Sequence, residues 1–220
     1  LVGTPEILVM TKISADTDGR GRFITFEGID GAGKTSQIDA CDAFLREKGI
    51  RVVRTREPGG TVLGEKIRAM LLADDMVPLT ETLLFFASRA EHIAQVIEPA
   101  LARGDWVLSD RFTDATYAYQ VGGKGIDPAV VETLEKLVQG TLQPDVTVLF
   151  DIDPVKAAER LKGAREADRF EKLSTGFFSG VRQAYLARAA ASPERFCVVD
   201  AARPQTEVTA AVLKEAAAWL

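Results

Sequence analysis

Residues 28–35 read Gly-Ile-Asp-Gly-Ala-Gly-Lys-Thr: a glycine, four residues, then Gly-Lys-Thr. That spacing suits one local geometry, a strand, a loop whose backbone N–H groups turn inward, and a helix whose N-terminus points at the same centre. Such a centre holds a polyphosphate. Loop N–H groups and the helix dipole meet its oxygens, Lys34 adds a point charge, and the Thr35 hydroxyl is placed to ligate Mg²⁺. The flanks agree, because Arg22 to Glu27 alternates as a strand and Thr35 to Lys48 has helical spacing. Gly28, Ile29, Asp30, Gly31, Ala32, Gly33, Lys34 and Thr35 are therefore the candidate triphosphate-binding residues.

At 220 residues, with 46% apolar and 27% charged side chains, the chain can bury one full core. Its net charge of -5 argues against a nucleic-acid polymer as partner, since that binding depends on a basic surface displacing counterions. Cys41 and Cys197 stand far apart, and His92 is the sole histidine, so neither a zinc site nor a disulfide scaffold is supported. The reducing cytosol is the expected compartment. No apolar run approaches the roughly 20 residues that cross a bilayer. Residues 1–21 lack a basic start and a cleavage site, and are expected to form a disordered or artificial extension to a single domain over 22–220.

Arg51 to Thr55 reads as a second short strand, and apolar runs ending in a charge recur at Trp106 to Ser109 before Asp110, at Val146 to Phe150 before Asp151, and at Phe196 to Val199 before Asp200. Helical spacing fills the intervals, dominating from the Arg56-Glu57-Pro58-Gly59-Gly60-Thr61 turn to Arg103 and returning at about 127–139, 154–162, 171–190 and 205–219. Strands alternating with helices predict an α/β fold with a parallel sheet covered on both faces. Ligands then collect at the carboxyl ends of the strands, where Glu27, Arg56, Glu57, Asp110 and Arg111 fall.

A phosphate loop alone does not separate a kinase from a switch GTPase or an ATPase. The chain contains no asparagine, which removes the Asn-Lys-x-Asp guanine motif, and Gly28-Ile29-Asp30 lacks the second lysine of partitioning ATPases. A kinase must hold a second anion, and guanidinium forks match phosphate oxygens. Arg56, Arg68, Arg89 and Arg111 are available, although Arg68 on an amphipathic helix equally suits a solvated charge. Leu83, Phe86, Ala90, Ile93, Ile97 and Leu101 recur at three and four residues, predicting the core stripe of one long helix. Phe85 and Arg89 lie off that stripe, where a ring could stack on a base while the guanidinium meets its carbonyl edge; the alternative is an extra core residue beside a solvated arginine.

Phe-Glu-Gly-Ile-Asp-Gly-Ala-Gly-Lys-Thr at 26–35, Arg-Glu-Pro-Gly-Gly-Thr at 56–61, Phe-x-x-x-Arg at 85–89 and Asp-Arg-Phe at 110–112, with Thr116, Tyr119 and Gln120, resemble bacterial thymidylate kinase from about residue 22 onward. The resemblance implies a P-loop NTPase fold with a five-stranded parallel sheet, a mobile lid at about 160–170, a homodimer, and transfer of the ATP γ-phosphoryl to dTMP with Mg²⁺. It implies that Phe85 stacks on thymine, that Arg89 meets the base's carbonyl edge, and that Gln120 and Thr116 read the remaining edge. Arg68 and Arg111 would hold the acceptor phosphate, Asp30 the 3′-hydroxyl, Glu57 and Pro58 the sugar side, while Asp110 acts through Mg²⁺ or caps a helix. The phosphate loop offers no arginine, so the cation for the transferring group is expected from Arg160 or Arg165 in the charged segment after residue 158. Other nucleotide or nucleoside kinases, or an ATP-switched binding protein, are the rivals.

Overall fold

Five strands end in a polar or charged residue, as the sequence predicts: β1 (Phe23–Glu27), β2 (Val52–Arg56), β3 (Trp106–Asp110), β4 (Val146–Asp151) and β5 (Phe196–Asp200). In this computed structural model, which describes residues 19–162, 169–170 and 173–220, they form one sheet in the order β2-β3-β1-β4-β5. Every pairing is parallel. All of β1 is buried, which is what a parallel strand covered on both faces requires. Phe23 and Val107, partners in register, pack with Ile93, Ile97, Ala100, Leu101 and Phe112. The next pair, Ile24 and Leu108, faces a larger core with Ile38, Cys41 and Leu45 below and Val208, Val212 and Ala216 beyond.

The covering helices are α1 (Lys34–Glu47), α2 (Val62–Ala73), α3 (Pro78–His92), α4 (Glu98–Ala102), α5 (Thr113–Thr116), α6 (Pro128–Gln139), α7 (Pro154–Leu161), α8 (Thr175–Ala191) and α9 (Gln205–Ala218). Local chemistry sets their starts. Asp127 and Asp153 each accept a helix N–H and are each followed by proline, whose missing donor costs nothing in the first turn.

The expected long helix is interrupted. Its stripe holds at Phe86, Ile93, Ile97 and Leu101, but Leu83 and Ala90 are exposed while Ser88, Arg89 and His92 are buried. A π-helical turn at Ile93–Ile97 is the reason: a wider turn shifts the register, so positions on its two sides cannot share one 3.6-residue stripe. The buried face of α3 is instead polar, with Glu81, Thr82, Ser88, Arg89 and His92. A second π-helical segment, Tyr117–Gly123, continues α5 and was not legible from spacing. It crosses α8 with glycines in contact, since a Cβ on Gly122 would lie 2.9 Å from the Gly180 carbonyl and one on Gly180 2.6 Å from that of Gly122.

Of the extension expected over 1–21, residues 1–18 lie outside the described residues, but Arg20 and Gly21 belong to the fold. The Arg20 guanidinium pairs with Asp145 and the Gly21 N–H donates to the Leu101 carbonyl at 2.9 Å.

In the phosphate loop, Gly31 has φ +83 and presses on α7: an added Cβ would lie 2.4 Å from the Ala157 carbonyl oxygen. Gly49 has a similar φ of +80 with nothing within 4 Å. Gly49→Ala is expected to lower stability by about 1–2 kcal/mol through backbone strain. Gly31→Ala should lose a further ~1–3 kcal/mol because backbone must move. Urea unfolding of both variants checks this, and equal losses would mean that the loop does not lean on α7.

Candidate active site

The carboxyl ends of β1, β2 and β3 bring two clefts together. One runs along the phosphate loop from Asp30 to Gln37 and is completed by Arg56, Asp110, Arg160 and Arg203. The other lies among Pro58, Phe85, Arg89, Thr116, Gln120 and Phe170, apolar rings beside a few convergent polar groups, as small-molecule sites usually are. Asp30, Glu57, Arg68 and Arg111 line both clefts.

In the first cleft the buried Lys34 Nζ donates to the Gly28 carbonyl (3.0 Å) and the Ile29 carbonyl (3.2 Å), curling over the loop. Burial, then the Arg111 charge, lowers its pKa against the pull of Asp30, Asp110 and Glu27. Gly28 and Ile29 sit beneath the loop, and the Ile29 side chain is in the core. Thr35 is exposed at the mouth. Asp110 is not a helix cap, a position that falls to Phe112. Its Oδ1 is buried without a hydrogen-bond partner among the described residues. A hydroxyl and an unpartnered carboxylate oxygen on one cleft fit a hard cation that takes few protein ligands, as Mg²⁺ does.

Arg111 ties the clefts together. It sits directly after β3 in the left-handed region (φ 71), rare for a side chain of its size, so its surroundings must hold it there. Its Nη1 donates to the Gly28 carbonyl (3.0 Å) and to the Tyr185 hydroxyl (3.1 Å). Nη2 donates to Asp30 Oδ1 (2.8 Å) and to the Tyr119 hydroxyl (3.0 Å). Burial pushes the Asp30 pKa up, but the charges of Arg111 and Lys34 outweigh it and hold the carboxyl at about 2. Asp30 is an anion at every working pH.

On α3, Phe85 is half-buried against Phe170, with ring centroids 6.3 Å apart. Arg89 is buried, its Nε donating to Glu57 Oε2 (2.8 Å) and its Nη2 to Thr116 Oγ1 (3.1 Å). Its Nη1 is buried with no partner among the described residues. Glu57 is held from its other oxygen by His92 Nδ1 at 2.8 Å, and His92 Nε2 meets Thr55 Oγ1 at 2.5 Å. Sequence reading had given His92 no role. Arg68 Nη1 donates to the Pro58 carbonyl at 3.0 Å, which places it on the cleft wall and not on an exposed helix face. Gln120 Nε2 donates to the buried Glu81 Oε1 at 2.9 Å.

Of the residues expected in the charged segment, Arg160 ends α7 on the wall of the first cleft, its Nη1 donating to the Ala201 carbonyl at 2.9 Å. Arg165 and the middle of the 160–170 segment lie outside the described residues. Arg169 donates to the Leu71 carbonyl and to Glu81. Tyr185, Glu81 and Phe170 were missed, and Glu27, placed at a strand end, was given no role. Tyr185 donates to Glu27 across 158 positions, a separation without local spacing to read.

A family model described as thymidylate kinase matches residues 26–212. The chain belongs to the thymidylate kinase family. Thymidylate kinase from Cupriavidus pinatubonensis is 63% identical over 184 residues, which make up 83% of this chain and 91% of that protein. The thymidylate kinase of Methylobacillus flagellatus is 56% identical over 194 residues, 88% of this chain and 96% of its own. Among solved structures, the thymidylate kinase from Ehrlichia chaffeensis superposes with a TM-score of 0.71 at 36% identity, covering 89% of this chain and 98% of that one. Membership of the thymidylate kinase family makes the chain a nucleoside monophosphate kinase.

Beneath the thymidylate kinase site, burial and then the Asp114 charge push the Glu27 carboxyl up to about 8, against Arg111, the Tyr185 hydroxyl and the Phe112 N–H. The folded protein thus keeps this proton to a higher pH than the unfolded chain does, and loses stability as pH climbs from the ordinary glutamate range to about 8. Unfolding midpoints measured at pH 5, 6.5 and 8 should fall more steeply for the wild type than for Glu27→Gln. Parallel slopes would mean that Glu27 is already ionised at pH 5.

Proposed function

We propose that this chain transfers the γ-phosphoryl of ATP to dTMP, yielding dTDP and ADP for dTTP synthesis, with ATP along the phosphate loop and dTMP in the Phe85 cleft. The observation that carries this placement is the wall shared by the two clefts: Asp30, Arg68 and Arg111 stand where a donor phosphate and an acceptor phosphate would meet. Phosphoryl transfer has little covalent chemistry for a protein to perform, so positioning and charge on the transferring group decide the rate.

In this reading the loop N–H groups and Lys34 hold the β- and γ-phosphates. Thr35 and Asp110 would hold Mg²⁺, whose charge would offset that building on the transferring oxygens. Arg111 and Arg68 hold the dTMP phosphate, and Arg111 is already rigid through its four hydrogen bonds. Asp30 accepts from the 3′-hydroxyl and is kept ionised for that purpose. Phe85 stacks on thymine, and the unpartnered Arg89 Nη1 supplies a buried donor for its carbonyl edge. Thr116 and Gln120 meet the rest of the base, with Glu57 and Pro58 beside the sugar. Arg160 and Arg165 are proposed to supply the remaining cation from a lid at about 160–170. Support for Arg160 is its place on the first cleft; Arg165 is proposed from sequence.

A homodimer is proposed from the apolar side chains left exposed on neighbouring helices: Val62, Leu63 and Met70 of α2, Val77 before α3, Leu79 and Leu83 on it, and Leu137 of α6. Sedimentation velocity on Leu79→Glu/Leu83→Glu should give a monomer, and an unchanged sedimentation coefficient would place the interface elsewhere. The cytoplasm is the proposed location, where thiols stay reduced; Cys41 and Cys197 are free, and burial pushes both up to about 12. Among the described residues no helix is long and apolar enough to cross a membrane.

ADP release should require both ATP and dTMP, whereas an ATP-operated binding protein would hydrolyse ATP without an acceptor. Arg89→Ala should lower kcat/KM for dTMP by about 1.5–3 kcal/mol, tenfold or more, because a hydrogen bond from a charged group is lost, and should narrow the preference over dCMP. Lys34→Ala should abolish turnover, while Arg68→Ala should chiefly raise the KM for dTMP. Comparable kcat/KM for dTMP and dCMP in the wild type would sink the base assignment.

A further inference from the structure

Glu81 has no part in the roles above, yet its side chain is fully buried in the first turn of α3. A carboxylate in that position needs partners for both oxygens. Oε1 accepts from Gln120 Nε2 at 2.9 Å. Oε2 accepts from Lys124 Nζ at 2.6 Å and from Arg169 Nη2. An amide and two basic side chains all meet this carboxylate as donors, so both of its oxygens act here as acceptors. The end of the Gln120 amide that meets it must then be the NH₂, which turns the carbonyl of that amide the other way.

The second oxygen works on a different wall. Lys124 Nζ lies 5.0 Å from the centroid of the Phe170 ring and Arg169 Cζ lies 4.7 Å from it, so both cations bound to Glu81 also rest on that ring. Phe170 and Gln120 line the same cleft. One buried carboxylate therefore fixes an amide and an aromatic wall together.

We propose that Glu81 is the positioning residue that sets the base selectivity of this cleft, by locking the Gln120 amide with its carbonyl toward the base. This rests on the proposed dTMP cleft. Thymine presents an N3–H donor beside its C4 carbonyl, whereas cytosine presents a bare N3 acceptor beside an amino group. An amide free to flip serves either base, and a locked carbonyl serves only the donor. Uracil carries the same edge as thymine, so Glu81 does not separate dTMP from dUMP.

The test compares kcat/KM for dTMP, dUMP and dCMP in the wild type, Glu81→Gln, Gln120→Ala and the double variant. Glu81→Gln keeps the shape but frees the amide, and the dTMP:dCMP ratio should fall about tenfold, as expected for one hydrogen bond to a charged or fixed partner. Gln120→Ala should lower the same ratio, and the double variant should fall no further than Gln120→Ala alone, because the carboxylate acts through the amide. The dTMP:dUMP ratio should stay within about twofold throughout, since both bases offer the same edge.

A residue that merely supports packing would depress all three substrates alike and would add to the Gln120 effect, and that result overturns the proposal. If Gln120→Ala lowers the dTMP:dCMP ratio while Glu81→Gln leaves it intact, the Glu81 inference falls and the cleft assignment stands. If Gln120→Ala also leaves it intact, both fall. Should Glu81→Gln fail to fold, Glu81→Asp keeps the charge for Lys124 and Arg169 but draws the carboxylate back by one carbon from Gln120. The same loss of ratio is expected there, and an unchanged ratio overturns the proposal.

Discussion

The fork of Arg111 is the contact on which the site depends. It follows β3, the neighbour of the central strand, leaves the sheet in a left-handed conformation, and returns to the phosphate loop through the Gly28 carbonyl and Asp30. The same guanidinium meets Tyr119 and Tyr185, so the loop, the segment after α5 and helix α8 are all referred to one planar group. A lysine in that place could not supply four directed donors. The backbone strain at this residue is maintained because the surrounding hydrogen bonds over-determine it.

Around this centre the molecule buries many charges that a purely structural core would avoid. Glu57 is shared by Arg89 and His92, and Asp114 is shared by Arg188 and Arg195. Desolvating such groups costs several kcal/mol per ion and is offset only when every oxygen and N–H is directed. Among the described residues five buried side-chain atoms lack a hydrogen-bond partner, on Arg22, Gln37, Arg89, Asp110 and Trp219; Arg89 lines the cleft suited to a base, and Asp110 and Gln37 line the cleft suited to a cation. Unpaired groups in an otherwise paired network are where a ligand completes the structure.

The sheet and most helix limits were legible because their signals are local. A closing charge marked the strands, and helical spacing marked the segments at about 127–139, 154–162, 171–190 and 205–219. Many residues lining the clefts belong to the stretches at 26–35, 56–61, 85–89 and 110–112 that carried the resemblance, whereas Phe170 and Arg203 belong to none of them. What escaped was non-local or broke a period. The π-helical turn at Ile93–Ile97 shifted the register of an apparently regular stripe, so Leu83 and Ala90 were assigned to the core and are exposed. Tyr185 lies 158 positions from the carboxylate it meets. Glu81 looked like an ordinary acidic residue in a helical first turn, and only the return of Gln120, Lys124 and Arg169 to it in space distinguishes it.

The crossing of the Tyr117–Gly123 segment with α8 has a consequence for how this side of the cleft tolerates change. Gly122 and Gly180 meet backbone to backbone, with no side chain between them whose rotamer could adjust. Little apolar area is gained there, but no side-chain freedom is frozen either. Tyr119 and Gln120 stand on one of these helices and Tyr185 on the other, and the Tyr119 ring meets Phe177, Phe178 and Tyr185 across the same crossing. A methyl added at Gly122 or Gly180 would stand 2.9 or 2.6 Å from the facing backbone carbonyl oxygen, so the helices would have to part there and carry the base-facing groups with them.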